Sequence, residues 1–343
     1  MQALLSVMVL ALCSTLVAAT GRAKGAKAGG AVGYDSTFDL DQAERYVALC
    51  GVAYCTDPKL RDNCVDKWSC NACKQFPNMT ATSFKSEKFD GNGFVGYDAT
   101  ADEVVVSFSG TDPLSIRNWL DDLVFVKEDY PYCDSCQVHS GFYATYQSLD
   151  PTVKSLVTQY LSKHPSASLS VTGHSLGAAL ALLCVAELVQ SGYIVRTAYT
   201  YGMPRVGDDA FQVWVKGGGG GGGISSMRGA TSSGSGSSGI AGVFRVTHRK
   251  DPVPHLPPMS FGFRHIPYEA FYIHEYEGAK EGEEKERQGK GEGEKEGQGG
   301  VVVCDYSGED PNCSDQYSLD LFVPDHLNYL GFDFTTNYLS CSL

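Results

Sequence analysis

The sequence predicts an α/β fold with a largely parallel sheet covered by helices on both faces. Three observations carry that expectation. Short runs of β-branched and aromatic residues alternate with longer stretches of helical spacing. One alternation is joined by a glycine-flanked serine, "VTGHSLGAAL" (171–180). The chain has 343 residues, 43% of them hydrophobic, which is ample for a sizeable core.

Taken in order, "RYVALCGVAYC" (45–55) has helical spacing and "EVVVSF" (103–108) is a short buried strand. "PLSIRNWLDDLVFV" (113–126) is amphipathic: Ile116, Trp119, Leu120 and Leu123 recur every three or four residues, with Arg117, Asp121 and Asp122 opposite. "SGFYATYQSLDPTVKSLVTQYLSKH" (140–164) is helical, with Pro151 expected near a boundary. "SLSVT" (168–172) is a strand. It leads through the serine turn into "AALALLCVAELVQSGYIV", which Glu187 and Gln190 mark as a buried helix ending at Gly192, not a membrane span. "RTAYTYG" (196–202) and "VFRVT" (243–247) complete the buried strands.

Two segments cannot build core. Residues 217–239 open with seven glycines and continue in Ser and Gly, and residues 277–300 are almost wholly Glu, Lys, Gly and Gln. Both are expected as disordered surface insertions in one domain spanning 20–343. The first residues, "MQALLSVMVLALCSTLVAAT", carry an apolar run from Ala3 to Leu16 and then Val17-Ala18-Ala19, the pattern of a secretory signal over 1–19. The run is short for an anchor of ~20 apolar residues, so no transmembrane segment is expected after its removal.

A secreted chain favours disulfides for its twelve cysteines. Loss of Cys13 with the signal leaves an odd number, and Cys184, inside the apolar helix, is the expected odd thiol. The C-x-x-C pairs at 70–73 and 133–136 could bind zinc, but disulfides are the better reading, and no metal or cofactor is expected. Asn78 and Asn312 open N-glycosylation sequons. The net charge of −13 and pI near 5.0 argue against nucleic acid as a partner.

Gly173-His174-Ser175-Leu176-Gly177 is G-x-S-x-G between a strand and a helix. Glycines let the turn close, the serine hydroxyl rises above the sheet edge, and the helix N-terminus offers N–H groups to an oxyanion. A serine nucleophile needs an acid and then a histidine downstream. Asp251, just beyond the strand 243–247, is the leading acid. It could equally cap the turn before Pro252, and Asp208 and Asp209 are rivals. Of His255, His265, His274 and His326, spacing leaves His265 and His326 nearly equal.

The chain resembles the secreted, fungal-type class 3 triacylglycerol lipases, an α/β-hydrolase family. "VTGHSLGAALALLC", "SIRNWLDDLVFV", "VHSGFYATYQS", "YGMPRVGDDAF", "VTHRKDPVPHLPP", "FGFRHIPYEAFYI" and "PDHLNYLG" carry the resemblance in the family's order. It implies that Ser175, Asp251 and His326 form the triad, with His265 in a stretch lining the site. It also implies an oxyanion hole at Leu176 and at Thr111 of "SFSGT", where fungal relatives commonly have Ser. The amphipathic segment 113–126 becomes a candidate lid over the site. The family suggests pairs Cys55–Cys341, Cys70–Cys73, Cys304–Cys313 and Cys133–Cys136; Cys50 and Cys64 remain and pair by default. The implied activity is hydrolysis of acylglycerol esters at a lipid–water interface, by a monomer without cofactors. The alternatives are an esterase on soluble or feruloyl-type esters, a phospholipid or galactolipid acyl hydrolase, and a non-catalytic lipid binder.

Overall fold

A computed structural model describes residues 38–57, 64–216, 242–274, 300–317 and 322–341. The expected signal segment 1–19, the insertion 217–239 and residues 277–299 of the second insertion lie outside them. Gly300, expected to end that insertion, is instead buried, and its carbonyl accepts from Ile273 N at 2.9 Å.

Helix α1 (Leu40–Tyr54) starts from Asp39, whose carboxylate accepts from Gln42 N. Strands β1 (Met79–Lys85), β2 (Asn92–Asp98) and β3 (Glu103–Phe108) form an antiparallel meander. Short α2 (Ile116–Asp122) and the β4–β5 hairpin (Lys127–Asp129, Gln137–His139) lead to α3 (Ser140–Lys163). Then β6 (Ser168–His174), α4 (Leu176–Gln190), β7 (Thr197–Tyr201), α5 (Asp209–Val215) and β8 (Val243–His248) alternate. Strands β9 (Glu269–Tyr272) and β10 (Val301–Val303), helix α6 (Val323–His326), a small β11–β12 pairing and α7 (Phe334–Leu339) close the chain. The main sheet runs β1-β2-β3-β6-β7-β8-β9-β10. Its centre, β3 to β9, is parallel and its margins are antiparallel.

The β period of two splits the core. Val104, Val106 and Phe108 face the cluster under α3 and α4, whereas Val105 faces the one under α1 and α7. Helix α4 is buried over nearly its whole length, as expected of a helix apolar all round. Its one carboxylate, Glu187, accepts from Tyr143 Oη at 3.2 Å and lies 3.7 Å from Lys154 Nζ. Pro151 is not near a boundary: it lies inside the unbroken α3. It is exposed, as is Gln147, so the carbonyl that loses its intrahelical partner can be hydrated.

On the opposite face α1 is set on β6 by three polar rungs. Tyr46 Oη and Ser170 Oγ each donate to Glu103 Oε1 at 2.5 Å. Cys50 Sγ lies 3.1 Å from Thr172 Oγ1, and Tyr54 Oη is 2.6 Å from His174 Nδ1. Four helical residues rise ~6 Å and two strand residues ~6.6 Å, so the rungs keep step.

The bridges Cys55–Cys341, Cys70–Cys73, Cys133–Cys136 and Cys304–Cys313 are formed, and Cys184 is a buried thiol. The default pairing of Cys50 with Cys64 is not: both are thiols. Cys50 is committed to the β6 face of α1, and its burial pushes the thiol up to about 12. Cys64 points to the chain end, with its Sγ 3.5 Å from Cys341 O. Asn78 and Asn312 are both exposed. No helix among the described residues is long and apolar enough to cross a membrane.

Candidate active site

The β6–α4 junction is a one-residue turn. Ser175 has φ 59° and ψ −128°, a conformation that costs a non-glycine residue of order 1–3 kcal/mol and persists because both flanking elements are pinned. Its N–H bonds to Tyr201 O at 2.9 Å. A Cβ on Gly173 would come within 2.2 Å of Gly177 O, and one on Gly177 within 2.5 Å of Phe108 O, so the turn admits no side chain at either position.

The acid comes from the end of another strand and the base from the end of a short helix. Asp251 follows β8 and is 1% exposed, and His326 ends α6 and is fully buried. His326 Nδ1 lies 2.9 Å from Asp251 Oδ2. The same oxygen accepts from Tyr329 Oη, and Asp251 Oδ1 accepts from Val253 N at 2.7 Å. Asp251 therefore faces the base and caps its own turn as well. Burial, with the Asp251 charge beside it, holds the Tyr329 phenol well above its usual range, so Tyr329 stays a donor.

Ser175 Oγ and His326 Nε2 are buried and neither has a hydrogen-bond partner. The nucleophile–base bond is thus open in this state, as is common before substrate binds. Thr111 Oγ1 is also buried without a partner. An ideal Cβ on Gly110 would lie 2.8 Å from Ser175 Cβ, which fixes how closely the Thr111 segment passes the nucleophile. Leu176 opens α4, where the first N–H groups have no intrahelical acceptor. A strained serine, a histidine held by a carboxylate and uncommitted donors together can perform acyl transfer through a covalent intermediate.

The other expected residues separate cleanly. His265 Nε2 bonds to Pro254 O at 2.7 Å and its N–H to Glu309 at 2.8 Å, so it braces the loop after Asp251. Buried Arg205 braces the same loop, donating to His255 O and Pro257 O while pairing with Glu309. Asp208 caps α5 by accepting from Phe211 N, Asp209 is exposed, and His274 is exposed. In α2, Ile116 is buried, Trp119 and Leu120 are half-buried, and Arg117, Asn118, Asp121 and Asp122 face solvent. Leu123 is half-buried as the extended C-cap, and with Trp119 it packs on the α3–α4 core.

Sequence reasoning missed Tyr329, Tyr54 and the task of His174. His174 takes a hydrogen bond from Tyr54 on Nδ1 and donates from Nε2 to His326 O at 2.8 Å. Burial, and then the nearness of His326, holds this imidazole well below its usual range, so it is neutral. The tyrosine in "PDHLNYLG", three places after the histidine, was a readable signal for Tyr329. Nothing in the sequence pairs Tyr54 with His174.

A family model described as Lipase (class 3) matches residues 105–261. A lipase of Rhizomucor miehei is 30% identical over 271 residues, covering 78% of this chain and 62% of that protein. The chain thus spans a little under two thirds of that relative. Secreted mono- and diacylglycerol lipase A of Penicillium cyclopium is 31% identical over 237 residues, covering 67% of this chain and 70% of that protein. Among solved structures, the Rhizomucor miehei triacylglyceride lipase superposes with a TM-score of 0.66 at 26% identity, covering 87% of this chain and 96% of that one.

Proposed function

Because the chain belongs to the class 3 lipase family, we propose that it is a secreted serine hydrolase cleaving the carboxylic esters of acylglycerols. The observation that carries the reading is the buried Asp251–His326 pair beside Ser175 on its strand–helix turn. Ser175 Oγ attacks the ester carbonyl while His326 takes its proton. Thr111 and the Leu176 N–H hold the oxyanion. His326 then protonates the departing alcohol, leaving an acyl-serine. Water, deprotonated by His326, releases the fatty acid and restores the hydroxyl. Asp251, itself held by Tyr329, keeps the imidazole in the tautomer with Nδ1–H and stabilises the imidazolium.

Helix α2 acts as the lid in this reading. Ser175 and His326 are fully buried while the apolar side of α2 is turned inward. Relatives named as a lipase and as a secreted mono- and diacylglycerol lipase support acylglycerols as the substrate class and secretion as the destination. Exposed Asn78 and Asn312 are then open to glycosylation.

Labelling with a fluorophosphonate, followed by turnover on emulsified triacylglycerol, diacylglycerol, phospholipid, galactolipid and a soluble short-chain ester, tests the proposal. Wild type should label and prefer an acylglycerol emulsion, and Ser175→Ala should fold, fail to label and fall to background. A wild type that resists labelling and hydrolyses nothing would make the protein a lipid binder. Preference for the phospholipid, galactolipid or soluble ester would reassign the substrate.

A further inference from the structure

A buried imidazole can be read from its partners. A carbonyl oxygen only accepts, so a ring nitrogen bonded to one must carry a proton. The neutral ring has one such N–H and the imidazolium has two. His174 is satisfied as the neutral ring, because one of its partners is a hydroxyl that can donate.

His248, the last residue of β8, is fully buried and differently placed. Its Nδ1 lies 2.8 Å from Asp325 O and its Nε2 lies 2.7 Å from His274 O. Both partners are acceptors. A neutral ring would set a bare lone pair against a carbonyl oxygen at hydrogen-bond distance. A positive charge has support nearby. The Asp325 carboxylate is buried, which pushes it above its usual range while the nearness of His248 works to lower it, and it accepts from Lys250 N at 3.1 Å. Arg249 Nε is 3.8 Å from the same carboxylate. Facing the ring from β9 and β11 are Tyr272 and Tyr329, with centroids at 4.9 and 5.6 Å. Asp251, His274 and His326 are further titratable groups of the segments that meet here, and Arg245 of β8 and Glu269 of β9 pair with each other at the opposite parity of those strands.

The two histidines have matching positions. His174 immediately precedes Ser175. His248 lies three residues before Asp251, whose N–H bonds to His248 O at 2.9 Å. Across the site they seize consecutive carbonyls, His326 O from one side and Asp325 O from the other. The base is thereby hung between the segment carrying the nucleophile and the segment carrying the acid. We infer that His248 is a positioning residue, held as an imidazolium between the carbonyls of Asp325 and His274, that fixes the His326-bearing peptide against the Asp251-bearing strand. The inference deepens the triad reading above and rests on it for its effect on turnover.

Nitrogen-resolved NMR of the histidine side chains in the full chain tests the protonation directly, with the His248 signal assigned in wild type by through-bond correlation to its backbone. At neutral pH both His248 nitrogens should carry protons, whereas His174 should show one protonated and one bare. One bare His248 nitrogen overturns the inference whether or not the protein hydrolyses esters, and this result needs no folded variant. On monomeric p-nitrophenyl butyrate, His248→Asn should lower kcat about tenfold or more with KM within about twofold, as expected when a reacting group is slightly misplaced. An unchanged kcat in a folded variant would overturn the positioning role. A doubly protonated His248 in a wild type inert to every ester would keep the clamp and sink the hydrolase reading.

Discussion

Thr111→Val should raise stability and destroy turnover together. The Thr111 hydroxyl is buried, in a residue 7% exposed, and it has no partner. Burying a hydroxyl in that condition costs about 1–3 kcal/mol. Valine replaces it with a methyl of nearly equal volume and leaves the backbone N–H in place, so no cavity opens. The unfolding free energy should therefore rise by about 1 kcal/mol or more. In a chain of 343 residues the unfolding entropy is large, so Tm should climb only about 1–2 °C per kcal/mol. In the transition state the same hydroxyl faces developing negative charge. Loss of one such donor costs about 10²–10³ in kcat, or about 3–4 kcal/mol. Steady-state kinetics on monomeric p-nitrophenyl butyrate and scanning calorimetry read the two effects separately. We expect kcat down at least about a hundredfold, KM near wild type, and Tm equal or higher. A loss under about threefold would take the hydroxyl out of the oxyanion hole. A clearly lower Tm would mean that it has a folding partner.

The two late histidines should part company: His326→Ala should be nearly inert, whereas His265→Ala, which only loosens the loop after Asp251, should keep most turnover, and the reverse pattern would reassign the base. Activity on a partly soluble ester should rise sharply once droplets form, because transferring two or three large apolar side chains of α2 to lipid is worth roughly 1.5–3 kcal/mol each. Trp119→Ser should flatten that rise while sparing monomeric ester, and a wild-type profile that saturates below the solubility limit would remove the lid. Replacing Cys55 and Cys341 together by serine frees a link spanning 286 residues, worth up to about 5 kcal/mol in chain entropy, which the denaturant midpoint reports. A shift below about 1 kcal/mol would mean that α1 and α7 hold the chain ends without it.

The parts legible in the sequence were those set by neighbours along the chain. The strands at 103–108, 168–172 and 243–247 were legible as short runs with β-branched or apolar residues at most positions, and the parallel centre of the sheet buries them on both faces. The Ser175 turn was visible because its glycines flank it. The antiparallel margin was not legible: "MTATSFK" is an edge strand left largely uncovered and so carries polar residues, whereas "NGFVGYD" is buried but broken by two glycines that give no strand signal. Pro151 looked like a boundary because sequence does not say which helical face meets water. Cys50 was assigned a partner by elimination, but on the folded α1 it faces Thr172. Tyr54, His174 and His248 act through partners from 26 to 152 residues away, so their tasks appear only when strand ends meet.

Strands β9 and β10 are adjacent antiparallel partners, with Tyr272 opposite Val301. The intervening chain therefore leaves and re-enters the sheet at one spot on its margin, and the ladder itself holds those two ends together. Loop-closure entropy grows only logarithmically, about 0.6 kcal/mol per doubling of length. That seam is a port for protein engineering: a reporter, an affinity tag or a whole carbohydrate-binding domain could be spliced in there at little thermodynamic penalty.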